Sequence, residues 1–474
     1  MLNPSHWFVR GFLPVVVLAV VAGAASPVRA QESLQADMRA SIDRAANEVL
    51  DATGAPSASI AIVRDGQIAY VHAYGRARLD PGVPARAEMR YSIGSISKQF
   101  TSAAILMLAE DGKLSLDDTI GRWLPELTRA KDVTLRQVLS MTSGYQDFWP
   151  EDYVMPGMLL PTTAQQILAG WAMKPLDFDP GTKWQYSNTN YVIAGLIVEK
   201  VSGMGLVDFL RQRVFTPLGM ESVTNTDQAA LGAADPAGYL RFALGPPRPA
   251  PKEGKGWMFA AGELAMTARD LARWDISMIN QTLLKPASYR AMQTATVLAN
   301  GVGTGYGLGV SVGTAAGRRQ ISHTGEVSGF TARNDVYPDD RTAVIVLTNL
   351  DATGASSQIV TRITTMLFRA TDAETERALA QARAMFEGLQ HGRIDRSLLT
   401  ANTSAYFTEV ALADFAASLG PLGAPQEFEQ TGQSLRGGMT ARQFRIKFPQ
   451  KTLRLTTFTM PDGKLEQYQI AAAE

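Results

Sequence analysis

The chain has 474 residues, 45 Lys plus Arg against 45 Asp plus Glu, 46% hydrophobic and 19% charged residues. That is the balance of a folded chain long enough for more than one domain, and zero formal net charge without a basic stripe gives nucleic acid no footprint. With no cysteine and only four histidines, it has no disulfide, iron–sulfur cluster, thiolate metal site, catalytic thiol or cysteine-linked lipid anchor, and little material for any metal site.

Residues 1–30 contain no acid, carry Arg10 ahead of an apolar run from Gly11 to Ala25, and end Pro27-Val28-Arg29-Ala30. This is the pattern of a secretory signal peptide, with an apolar run too short for a stable membrane span. The expectation is an exported protein, periplasmic or secreted. A helix is predicted over Leu34–Thr53, then a hairpin of strands Ser59–Val63 and Ile68–Tyr74 around Asp65-Gly66. Helical periodicity follows from Ser95 to Glu110, stops at Gly112, and resumes over Leu116–Trp123, Thr134–Met141, Thr163–Met173 and Tyr191–Ser202. Between Tyr145 and Trp184, prolines and aromatics surround one helix and read as a loop system of the kind that lines sites.

Strands are predicted over Gly305–Val312, Gln320–His323, Thr331–Tyr337 and Thr342–Asn349, with a helix to about Ala370. In Gly301–Val310 a glycine at every odd position predicts a strand stripped of side chains on one face, open to another backbone. Beyond an Ala-rich helix, Ala373–Gln390, alternating runs Phe428–Leu435, Arg442–Phe448, Thr452–Met460 and Leu465–Ile470 predict four strands, the last two joined by a turn at Pro461-Asp462-Gly463. The expected organisation is a signal peptide over 1–30, a main domain over 31–372 and a small α+β domain over 373–474. The last is either a packing unit or spacer, or a unit that gates substrate or binds a partner.

Three stretches carry chemistry. Ser95-Ile96-Ser97-Lys98 places a hydroxyl and an amine three residues apart at a helix start, on one helical face, and the helix N-terminus favours a developing anion. Tyr186-Ser187-Asn188 precedes an apolar helix. A cation such as Lys98 would draw the Tyr186 phenol down from its usual ~10, and Asn188 can hold Lys98 and a substrate amide together. The same residues would also serve as an ordinary helix cap. His323-Thr324-Gly325 ends a strand. There Gly325 admits a substrate backbone, the N–H of Glu326 can complete an oxyanion pair with that of Ser95, and His323 and Thr324 can read a carboxylate or polar group. A rival, Gly309-Val310-Ser311-Val312-Gly313, fits a nucleophile elbow with Asp339 and His391 following in order, but no helix is predicted after it.

The order of SxxK, YxN and HxG resembles the penicillin-recognising serine hydrolases: class C beta-lactamases, serine DD-peptidases, D-amino-acid peptidases and beta-lactamase-like esterases. Val133–Gly144, Phe215–Met220, Ala261–Asp270 and Tyr306–Gly309 resemble further signatures of that family, so the likeness runs from about 35 to 370. It implies an α+β fold, an antiparallel sheet flanked by helices with an inserted, mostly helical lobe and the site in the cleft between. It also implies an acyl-enzyme on Ser95, proton transfer by Lys98 and Tyr186, positioning by Asn188, an oxyanion held by the Ser95 and Glu326 amides, and no cofactor. The third motif begins with His323 where class C beta-lactamases usually carry Lys, which points toward DD-peptidases and D-aminopeptidases. Peptide, lactam and ester substrates remain open, as does a non-catalytic sensor of peptidoglycan-like ligands.

Overall fold

The computed structural model describes residues 34–151, 153–369 and 373–473. The signal peptide and the boundary at 372 lie outside the described residues. Helix α1 (Ala36–Thr53) ends at Gly54 in the left-handed region, and strands β1 (Ser57–Arg64) and β2 (Gln67–Arg78) turn at Asp65-Gly66, both with positive φ, as in a type I′ hairpin turn. A two-residue strand, β3 (Val83–Pro84), borders β2. The chain returns late to the same sheet with β4 (Ser311–Ala315), β5 (Arg318–Val327), β6 (Phe330–Tyr337) and β7 (Thr342–Thr348). The seven strands run in the order β3-β2-β1-β7-β6-β5-β4, and every pairing is antiparallel. β7 is buried at every position because both its faces are covered. One buried cluster joins Ile60, Ile62, Val344 and Val346 to α1 and to the helix Ala355–Arg369; the other face joins Ala61, Val63, Ile345 and Leu347 to the helical region.

That region is built on α2 (Ser97–Glu110), whose residues 97–108 are all buried, and α3 (Asn188–Ser202), buried from Thr189 to Val198. Helices buried on every side, with their polar side chains toward the ends, lie inside a protein. Phe100, Ile105, Leu108, Ile193 and Ile197 are fully buried, each contributing ~2 kcal/mol by transfer from water. The expected run from Ser95 opens as a 3₁₀ turn, Gly94–Ile96, before α2 begins. The predicted helix over Thr163–Met173 is a turn of α-helix, Ala164–Ile167, continued as a π-helical turn, Leu168–Ala172.

The glycine-rich stretch departs from its expected strand. Gly305 and Gly309 have φ of +68° and +76°, and the strand starts only at Ser311. The close approach is nevertheless there: a Cβ on Gly307 would lie 2.1 Å from the Met292 carbonyl oxygen, and one on Gly309 would lie 2.9 Å from that of Lys98. β4, which holds Ser311, turns into β5 and not into a helix, so no nucleophile elbow forms.

Residues 427–472 form a separate four-stranded antiparallel sheet of β8 (Glu427–Arg436), β9 (Met439–Lys447), β10 (Thr452–Thr459) and β11 (Leu465–Ala472). It encloses its own core, in which Phe386 and Leu389 of the helix Ala373–Gln390 meet Phe444, Leu455 and Tyr468. In this C-terminal region two helices escape the sequence reading, Ala401–Tyr406 and Glu409–Leu419, each capped by a threonine; Ala268–Asn280 and Pro286–Met292 escape it in the main domain. Among the described residues no helix is long and apolar enough to cross a membrane.

Candidate active site

Two glycines set the geometry. Gly94 has φ of +49°, and a Cβ there would lie 2.7 Å from the Glu326 nitrogen. A Cβ on Gly325 would lie 1.9 Å from the Ile93 carbonyl oxygen and 3.4 Å from the Ser95 nitrogen. The 3₁₀ turn and β5 therefore touch backbone to backbone, which sets the amides of Ser95 and Glu326 side by side. Gly325→Ala is expected to force this contact apart and lower kcat/KM by about a hundredfold, the order of effect of losing one oxyanion donor. Activity within threefold of wild type would show the contact to be dispensable.

Lys98 is fully buried and makes three hydrogen bonds through Nζ: to Ser95 Oγ at 2.8 Å, Asn188 Oδ1 at 2.8 Å and the Ala261 carbonyl oxygen at 2.9 Å. Burial lowers its pKa to about 7, against an opposing pull from Asp147. A neutral amine has two N–H bonds and one lone pair. Asn188 Oδ1 and the Ala261 carbonyl can only accept, so both N–H bonds are committed to them and the lone pair faces the Ser95 hydroxyl.

Asp147 is the residue that sequence reasoning missed. Its Oδ1 accepts from the Asn188 backbone N–H at 2.9 Å and from Asn188 Nδ2 at 3.2 Å, which turns Asn188 Oδ1 toward Lys98. Burial raises the Asp147 pKa. Its signal was an acid directly before Phe148 and Trp149 in the aromatic loop that was expected to line a site.

The Tyr186 side chain lines the cleft with Ser95, and Lys98 Nζ lies 5.0 Å from its ring centre. The sequence reading has Lys98 drawing the phenol pKa down. In the structure burial dominates and pushes it up, with Ser95 a smaller opposing influence, so Tyr186 is held as the neutral phenol.

His323 lies behind Tyr186, ring centres 6.3 Å apart, and is 5% exposed. Its Nδ1 lies 2.5 Å from the Thr324 carbonyl oxygen, an acceptor, so Nδ1 carries the proton and Nε2 accepts from Tyr306 Oη at 2.9 Å. Burial, with Lys98 nearby, lowers its pKa to about 4. The ring is neutral with both nitrogens engaged. His323, Thr324 and Gly325 are not among the residues lining the cleft, whereas Ser95, Tyr186, Asn188 and Glu326 are. Ser95, Lys98 and Asn188 thus form one hydrogen-bonded group, with the Tyr186 ring against Lys98 and His323 behind Tyr186.

The cleft holds about 460 Å³ and is walled by Phe148, Trp149, Tyr153 and Trp257, a size and character suited to a small ligand. Its charged lining residues are Asp147, Glu151, Glu326 and Asp351, with no Lys or Arg among them.

The beta-lactamase family profile matches residues 42–363. A D-aminopeptidase of Brucella anthropi is 27% identical over 331 residues, covering 69% of this chain and 62% of that protein. Penicillin-binding protein 4* of Bacillus subtilis is 28% identical over 308 residues, covering 60% and 66%. The chain spans less than two thirds of the length of these curated relatives. Among solved structures, an octameric penicillin-binding protein homologue from Pyrococcus abyssi shares the fold with a TM-score of 0.64 at 21% identity, over 92% of this chain and 96% of that one. A D-stereospecific amidohydrolase from Streptomyces sp. gives 0.60 at 26% identity, over 68% and 97%. The profile covers the late-returning sheet and the helical region between its halves, and by that match the chain belongs to the beta-lactamase family.

Proposed function

We propose that the protein is an exported serine hydrolase that opens an amide or ester carbonyl through an acyl intermediate on Ser95, and that its substrates are small molecules or short peptides carrying a free ammonium group. The observation that carries this reading is the buried Lys98 amine, pKa about 7, directed at the Ser95 hydroxyl. In the proposed step Oγ bonds to the carbonyl carbon while its proton passes to Lys98 Nζ, and the oxyanion is met by the amides of Ser95 and Glu326. The neutral Tyr186 phenol protonates the leaving nitrogen or oxygen and is then reprotonated by the Lys98 ammonium. Water repeats the sequence in reverse to release the acyl group. Burial of Tyr186 supports its role as an acid better than one as a standing base. Export rests on the N-terminal thirty residues alone.

The ammonium preference follows from a cleft lined by four carboxylates and no side-chain cation. Such a cleft favours a positive group and disfavours the carboxylate of a penicillin at the same place. A neutral His323 supplies no counter-charge. Relatives named D-aminopeptidase and D-amino acid amidase agree with this preference. The test compares D-alanine p-nitroanilide with its N-acetyl derivative, which lacks the charge. The free amine is expected to be at least about tenfold better in kcat/KM, and a preference for the acetylated compound would refute the ammonium reading.

A further inference from the structure

A second cavity of about 260 Å³ adjoins the cleft, and Met258, Val327 and Ser328 line both. Its charge differs from that of the cleft. Lys252 lies there close to Glu253 and Asp227, so its charge is matched locally. Arg78 is half-buried and differently placed. Its Nε donates to the Asp235 carbonyl oxygen at 3.1 Å and its Nη2 to that of Gly232 at 2.7 Å. Both acceptors are neutral, and the Asp235 carboxylate is taken by Arg90 at 2.5 Å. Among the described residues Arg78 has no carboxylate partner, and a guanidinium drawn partly out of water is stabilised when a carboxylate completes the pair. At the shared wall, Ser328 Oγ is buried without a hydrogen-bond partner, a polar atom of the kind that native structures normally satisfy.

We propose that this second cavity is a subsite for the C-terminal carboxylate of a short peptide whose ammonium end lies in the acidic cleft, with Arg78 binding the carboxylate and Ser328 Oγ hydrogen-bonding the peptide where it crosses between the cavities. This deepens the reading of the cleft as an amide-hydrolysing site. It makes the favoured substrate a short zwitterionic peptide, since an amino-acid amide carries no carboxylate to reach the second cavity.

The experiment measures equilibrium binding of D-alanyl-glycyl-glycine and of its C-terminal amide to the full chain carrying Ser95→Ala, by calorimetry at low salt. The free acid is expected to bind about tenfold tighter than the amide, as for one charge-assisted pair. Adding Arg78→Met removes the difference, and Arg78→Lys restores part of it. Equal affinities for acid and amide in the Ser95→Ala protein, or a preference that survives Arg78→Met, overturn the subsite. The acid–amide comparison needs no Arg78 variant, so misfolding of that variant leaves it decisive. Hydrolysis of D-alanine amide by the wild-type chain is read separately: its absence removes the amide-hydrolysing reading of the cleft, whereas binding still decides the subsite.

Discussion

Ser95→Ala is expected to lower turnover of every amide or ester substrate by about ten-thousandfold or more, because the covalent route vanishes and only binding and oxyanion stabilisation remain. The same substitution should abolish the acyl adduct that intact-mass spectrometry detects after mixing the wild-type chain with a slowly deacylating ester. The fold should survive. Lys98 keeps Asn188 Oδ1 and the Ala261 carbonyl as partners, and the surrounding cavity wall is unchanged, so stability should fall by no more than ~1 kcal/mol, the net worth of one hydrogen bond. Thermal melting checks this and separates loss of chemistry from loss of protein. Turnover retained in a properly folded Ser95→Ala protein would remove Ser95 from the mechanism and leave the hydroxyl as one more partner of a buried amine.

What the sequence made legible is what depends on neighbours in the chain. Asp65-Gly66 declares its hairpin because this residue pair readily takes the two positive φ values of a tight turn between antiparallel strands. Ser95 and Lys98 meet because three residues of helical turn bring them to one face, a local rule that holds although the first turn is 3₁₀. Asn188 reaches Lys98 across ninety residues, and that meeting was available only through the order of the three motifs. Three features were hidden for the opposite reason. Ala261 serves through its carbonyl, which any residue would offer. Asp147 sits in a loop without periodicity, placed by its contacts with Asn188. The glycines of 301–309 had a correct consequence, close approach, but a wrong conformation: alternation in sequence suggests a strand, whereas Gly305 and Gly309 use positive φ to turn the chain under Lys98. That turn places Tyr306 against His323, so the neutrality of His323 could not be read from HTG alone.

The second large effect concerns the proton relay. Lys98→Met and Tyr186→Phe should each cost about a thousandfold or more in kcat/KM, yet the double variant should cost little beyond the worse single one, because groups acting as a unit lose their function together. The pH profile identifies which form of Lys98 works. With a pKa near 7, and the neutral amine as base, kcat/KM should fall about tenfold per pH unit below 7 and level off above it. An ester bearing a permanent trimethylammonium group serves as substrate, so that no substrate proton enters the profile. The Asp147 carboxylate raises the Lys98 pKa, so Asp147→Asn should move this limb to lower pH, whereas a purely structural role for Asp147 would lower the plateau without moving the limb. The Tyr186 phenol, pushed up by burial, should contribute no descending limb below pH ~10. A wild-type profile that declines above pH 7, with that decline lost in Lys98→Met, would mean that the amine works as a cation and that the Ser95 proton leaves by another path.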